Sequence, residues 1–172
     1  METSRTPVVE PRREGIRIDR AGRSRWRVTA GLWLPRPVDE VFAFFAAAEN
    51  LNLITPPWVN FRIITPLPIT MKVGARIDYV IRLHGIPVTW KTEITAWEPG
   101  VRFIDEQRKG PYREWIHEHT FCAMDGGTWC GDTVDYRPPG GSLVNRIFVQ
   151  PDVFRIFTYR HETMKRWFGQ AA

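Results

Sequence analysis

The feature that most constrains this chain is a close-set run of strand signals between residues 58 and 137. Trp58–Ile64 is followed by the break Pro66-Leu67-Pro68, and Arg76–His84 turns at Gly85 into Pro87–Glu98. Pro99-Gly100 leads to Val101–Arg108, Gly110-Pro111 to Arg113–Ala123, and Asp125-Gly126-Gly127 to Thr128–Arg137. A parallel crossover needs about a dozen residues or more between strands. These gaps are far shorter, so the segments must pair as antiparallel hairpins. Doubly wound and barrel arrangements of parallel strands are excluded.

Two further elements fix what the meander packs against. Upstream, Trp26, Val28, Ala30, Leu32 and Leu34 alternate with Arg27, Thr29, Gly31 and Trp33, which predicts a first strand over Arg25–Leu34. Pro37 with Asp39 and Glu40 opens a helix, because proline suits the first turn and acids suit the positive end. Val41, Phe42, Phe45 and Ala48 then share one helical face. A second short turn, Glu49–Ile54, stops before Pro56-Pro57. Downstream, Leu143, Ile147, Phe154, Phe157, His161, Met164 and Phe168 recur at helical steps, predicting a long terminal helix over Ser142–Phe168. Pro151 lies inside it and removes a hydrogen bond, so a kink or a two-segment helix is expected.

The expected class is α+β. A seven-stranded curved antiparallel sheet wraps the long C-terminal helix, with two short helices after the first strand. The terminal helix is the element large enough to cover the sheet. A curved sheet gripping one helix leaves room between them, and a pocket is expected there.

The runs "LPRPVDEVFAFFAAAENLNLITPPW", "YVIRLHGIPVTW", "WEPGVRFIDEQRKGPYREWIHEHTF" and "DGGTWCGDTVDY", with the closing helix, resemble the START-like (SRPBCC) helix-grip superfamily. More narrowly, they are similar to its polyketide cyclase/dehydrase and coenzyme-Q-binding-like branch. The resemblance covers residues 25–168 and implies a hydrophobic-ligand pocket. Members bind lipids, sterols, polyketides or quinones, and some catalyse ring closure or dehydration.

Charge and composition narrow the partners. The net charge is +5. The first 27 residues hold eight arginines against four acids, so the rest is close to neutral. Nucleic-acid binding is therefore not expected. Residues 1–23 read as a poorly ordered basic tail, and residues 24–169 as the domain. The longest strictly apolar run, Val41 to Ala48, is far short of the roughly 20 residues that span a bilayer. The N-terminus has no signal-peptide pattern. A cytoplasmic protein without stable membrane insertion, monomeric or weakly dimeric, is expected. Cys122 and Cys130 should face opposite sides of one hairpin, which argues against a disulfide between them.

The strand Arg113–Ala123 carries the clearest chemistry. Its odd positions hold Trp115, His117, His119 and Phe121, and its even positions are more polar, so the odd set is expected inside. The following hairpin brings Cys130, Asp132, Val134 and Tyr136 onto the same face. In the preceding hairpin, pairing Arg108 with Arg113 would put Glu106 opposite Trp115, with Arg102 on its face. One bulge would reverse that assignment.

The expected ligand-binding set is therefore Arg102, Glu106, Trp115, His117, His119, Phe121, Asp132 and Tyr136. Glu106, His117, His119 and Asp132 form its polar cluster. The histidines and acids could satisfy one another in a mixed core, orient an apolar ligand, or move a proton as a His–Asp pair. His119, Asp132 and His117 are the catalytic candidates, with Arg102 or Tyr136 stabilising an oxyanion. His-X-His on a strand projects two imidazoles together, and an acid could be a third metal ligand; the spacing is common by chance and no cysteine cluster accompanies it, so neither a metal nor another cofactor is expected. The leading function is binding of a small hydrophobic ligand such as a lipid, polyketide, quinone or aromatic metabolite. Cyclase/dehydrase-type catalysis in the same cavity is the alternative.

Overall fold

A computed structural model of the chain describes residues 13–169. Eight strands form one antiparallel sheet: β1 (Gly15–Gly22), β2 (Arg25–Leu34), β3 (Arg62–Ile63), β4 (Arg76–Leu83), β5 (Ile86–Glu98), β6 (Arg102–Lys109), β7 (Glu114–Met124) and β8 (Gly127–Arg137). Their spatial order is β1-β2-β8-β7-β6-β5-β4-β3. Every neighbour but one is a sequence neighbour, as the short turns require. The exception is β2 on β8, which joins the first hairpin to the meander. Helices α1 (Val38–Ala46) and α2 (Leu51–Ile54) carry the chain from β2 to β3 at the far edge. The terminal segment comprises α3 (Gly141–Val144), a π turn over Asn145–Val149, and α4 (Gln150–Gly169). This is the helix-grip architecture.

The eighth strand is a correction to the expected seven. β1 lies within the segment read as a tail, whose residues 1–12 fall outside the described part. Its backbone pairs with β2 from Gly15↔Gly31 to Gly22↔Arg25. Ile16 and Ile18 are its half-buried side chains, packed against the core around Trp26 and Val28. The expected strand at Trp58–Ile64 shrinks to β3, because Pro57–Val59 closes a 3₁₀ turn ended by Asn60 at φ +47°.

The sheet bends where β5 loses register with β6, between Lys91 and Thr92 and again between Ile94 and Ala96. An extra residue on one strand increases local twist. The concave side receives α4 through Val153, Phe157, His161, Met164 and Phe168. The irregularity expected near Pro151 takes the form of a π turn ahead of it, between α3 and α4. The preceding turn widens, and Gln150 N–H donates to the Asn145 carbonyl, giving the ring of Pro151 space against the previous turn. The extra residue changes the helical phase, so Leu143 and Ile147, expected on the inner face, are exposed. Phe154 is exposed as well, and Val153 occupies the inner position in its place.

Two polar side-chain contacts fasten α4. His84, at the β4–β5 turn, lies 2.6 Å from Asp152, and Lys165 lies 2.9 Å from Glu14. No helix among the described residues is long and apolar enough to cross a membrane.

Candidate functional site

The site begins with the β7 register. Met124 pairs with Gly127 across the tight turn Asp125-Gly126, both at positive φ, which suits Asp-Gly. Counting back, Phe121 faces Cys130, His119 faces Asp132 and His117 faces Val134. His117, His119, Phe121, Cys130, Asp132 and Tyr136 are all buried, and Trp115 is half-buried. Cys122 is exposed, and both cysteines are free.

On the other side the register departs from expectation. Phe103 pairs with His119 and Asp105 with His117, whereas Arg102 pairs with Thr120 and Glu106 with Ile116. Regular pairing ends there, because the Gln107 side chain binds the Tyr112 backbone instead. Its amide Nε2 donates to the Tyr112 carbonyl at 2.6 Å, and Tyr112 N–H donates to its Oε1 at 3.3 Å. Arg113 N–H donates to the Arg137 carbonyl. The one-residue shift moves Arg102 and Glu106 to the outer face. Arg102 pairs there with Glu98 and Glu118, and Glu106 accepts from Thr95 and Arg108. Asp105 takes the inner place that Glu106 was expected to hold.

Four groups on three strands thus meet. His117 Nε2 is 2.7 Å from Asp132 Oδ1, and His119 Nε2 is 2.8 Å from Asp105 Oδ2. His119 Nδ1 lies 2.9 Å from Asp132 Oδ1, close enough for ion pairing but off the hydrogen-bond line. The imidazole centroids are 3.7 Å apart, and Phe103 stacks on His119 at 4.1 Å.

Burial works against charge on all four, and the partners decide the outcome. For Asp132 the nearby Arg160 charge and the two imidazoles outweigh burial, holding the carboxyl well below its ordinary range. The same imidazoles hold Asp105 low against its burial. His117 is pushed down by burial and by the charge of His119. Burial opposes protonation of His119 too, but contacts with both carboxylates raise it. The cluster therefore favours one charged imidazole and one neutral one between two carboxylates. Burial pushes the Cys130 thiol far up, which disfavours a thiolate.

Beside the cluster is a cavity of about 180 Å³ between the sheet, the α1–α2 segment and α4. Phe45, Ala48 and Ile54 line it from the helices, and Ile81, Trp90 and Trp115 from the strands. α4 adds Val153, Ile156, Phe157 and Arg160. Asp105, His117 and His119 form part of its wall. Of the other expected ligand residues, Asp132 sits behind the histidines, while Phe121 and Tyr136 pack in the core and do not line the space. Tyr112 also lines it, and Trp58 packs against Tyr159 and Arg155.

Sequence reasoning missed Arg160, although it lies three residues after Phe157 and four before Met164, on the same helical stripe. Its Cζ is 5.4 Å from the Phe45 ring centre. Its Nε and Nη2, and the Trp90 Nε1, are buried without a hydrogen-bond partner. Buried polar atoms nearly always have partners, so such donors on a cavity wall point to an acceptor brought by a ligand.

The sequence profile described as polyketide cyclase / dehydrase and lipid transport matches residues 34–156. No curated protein sequence matches the chain. Among solved structures, protein Ms6760 from Mycobacterium smegmatis is similar at 16% identity and TM-score 0.63, covering 89% of this chain and 97% of its own. Protein CV1439 from Chromobacterium violaceum aligns at 12% identity and TM-score 0.66, covering 84% and 98%. The ginseng major latex-like protein 151 from Panax ginseng aligns at 10% identity and TM-score 0.59, covering 84% and 97%. At these identities the structural matches establish the fold.

Proposed function

The chain belongs to the polyketide cyclase/dehydrase and lipid transport family, and from that premise we propose that it binds a small, largely hydrophobic molecule in the cavity beneath α4. The observation that carries this reading is the character of the wall. Aromatic and aliphatic side chains make most of it, and its few polar groups gather around Asp105, His117, His119 and Arg160. Such walls bury an apolar body and orient one polar end. Each methylene removed from water contributes about 0.8 kcal/mol. The unpartnered donors of Arg160 and Trp90 suit a ligand oxygen, from a carbonyl, phenolate or carboxylate.

The volume limits the guest. About 180 Å³ is below the roughly 300–1,000 Å³ of common ligand sites. One or two fused rings suit it better than an entire lipid.

A second reading adds chemistry to binding. The buried His117–Asp132 contact at 2.7 Å holds an imidazole firmly against the cavity, and a positioned imidazole can move a proton on a bound carbonyl compound. Tyr136 and Arg102 do not line the space, so Arg160 takes their expected place as the oxyanion partner.

Native mass spectrometry of the protein purified from its own host tests both readings. A bound organic mass is expected on the wild type and is expected to be missing from Ala48→Phe, which fills the cavity. Incubating the extracted molecule with wild type and with His117→Gln or His119→Gln separates the readings. Conversion by the wild type alone supports catalysis, and binding without conversion by either supports a carrier. A ligand retained undiminished by Ala48→Phe contradicts the site.

A further inference from the structure

The face of the cluster toward the cavity is arranged differently from the face behind it. Toward the cavity, His119 Nε2 and His117 Nδ1 lie 2.8 and 3.7 Å from the same atom, Asp105 Oδ2. One donor atom from each of the three residues falls within 4.8 Å of the others. Behind, the remaining nitrogens, His117 Nε2 and His119 Nδ1, lie 2.7 and 2.9 Å from one oxygen, Asp132 Oδ1. Each imidazole is therefore held from the rear by one carboxylate while its other nitrogen turns to a shared point at the cavity wall.

We propose that Asp105, His117 and His119 form a binding site for a divalent first-row transition ion, with Asp132 as the positioning residue behind both imidazoles. Two imidazoles and a carboxylate are the donor set that such ions accept, and three protein ligands leave at least one coordination position for another molecule. Here that position opens on the cavity, because all three residues line it. Donors about 2.1 Å from a tetrahedral ion are roughly 3.4 Å apart, and the observed 2.8 and 3.7 Å bracket that spacing. Metal-bound histidines usually give their other nitrogen to a carboxylate or carbonyl; Asp132 hydrogen-bonds His117 Nε2 and lies 2.9 Å from His119 Nδ1.

Charge is compatible with the ion. Arg160 brings one positive charge to the region, against the two carboxylates of Asp105 and Asp132. An ion ligated by both imidazoles displaces the proton shared in the cluster, which leaves to solvent, and the two carboxylates then face one guanidinium and a dication. From sequence, His-X-His alone is a weak metal pattern, and no metal was expected. What changes the assessment is Asp105, which the altered register brings inside, and the shared support of Asp132. The proposal does not depend on which organic molecule enters the cavity.

The test uses the full chain, stripped with a chelator and then titrated with Co²⁺, followed by Zn²⁺ competition against a chromophoric chelator. The expected result is a saturating visible spectrum at about one Co²⁺ per chain, abolished by Zn²⁺. Asp105→Asn and His119→Gln should each weaken binding roughly 100-fold or more. Asp132→Asn should weaken it roughly 10–100-fold. A His84→Asn/Cys122→Ser variant, which removes exposed ligands, should bind as the wild type does. Near-UV circular dichroism confirms that each variant is folded, and the wild-type spectrum decides the case if one is not. No saturating spectrum in the wild type, or binding unchanged by both Asp105→Asn and His119→Gln, overturns the proposal.

Discussion

Asp132 is buried on all sides, with two imidazole nitrogens within 2.9 Å of one oxygen. Glu106, on the outer face of β6, has ion-pair and hydroxyl partners near solvent. The two acids should therefore respond very differently to substitution. Asp132→Ala leaves the imidazoles without their buried acceptor and should cost about 3–5 kcal/mol in urea unfolding. Glu106→Gln loses a partly exposed pair and should cost less than about 1 kcal/mol. Equal losses would contradict the β6–β7 register. At this scale the histidines and Asp132 were legible, because alternation and a two-residue turn fix β7 against β8. Asp105 was not, since Gln107 captures the Tyr112 backbone and ends the ladder early. One weak signal was present in the sequence: the even positions of β6 carry Arg102, Ile104, Glu106 and Arg108, and the odd ones Phe103, Asp105, Gln107 and Lys109. The less charged set is the one that faces inward.

β1 shows how an element escapes a reading based on periodicity. Two isoleucines alternate with charged residues on a strand exposed along most of its length. The pairing is made by backbone groups, which leave no trace in side-chain pattern. Its charged positions also guard an open sheet edge against further pairing. Removing residues 1–23 should lower stability by about 2–4 kcal/mol, from the lost contacts of Ile16 and Ile18 and the lost ladder. The Glu14–Lys165 tie to α4 goes with them. Thermal unfolding of the truncated chain checks this, and an unchanged midpoint would mean that β1 contributes nothing to the domain. The terminal helix was legible from Phe157 onward and misread before it. The π turn over Asn145–Val149 displaces Leu143 and Ile147, and only the position of Pro151 hinted at it; Phe154 lies after the turn, where Val153, four residues before Phe157, takes the inner place.

At the scale of the molecule, turn spacing dictates an antiparallel meander, and one amphipathic helix long enough to cover it makes the grip. The existence of a hollow follows from that geometry. Its volume does not, because it depends on how far side chains such as Trp90, Trp115 and Phe157 reach across. Those same residues supply the most direct measurement. Of eight tryptophans, Trp90 and Trp115 are the two that line the cavity. Titration with 1-naphthol or 1-naphthoate, followed by tryptophan emission, should give saturable quenching. A Trp90→Phe/Trp115→Phe variant should lose that quenching while the other six tryptophans still emit. Quenching that never saturates, or that persists undiminished in the double variant, would contradict a ligand cavity beneath the terminal helix.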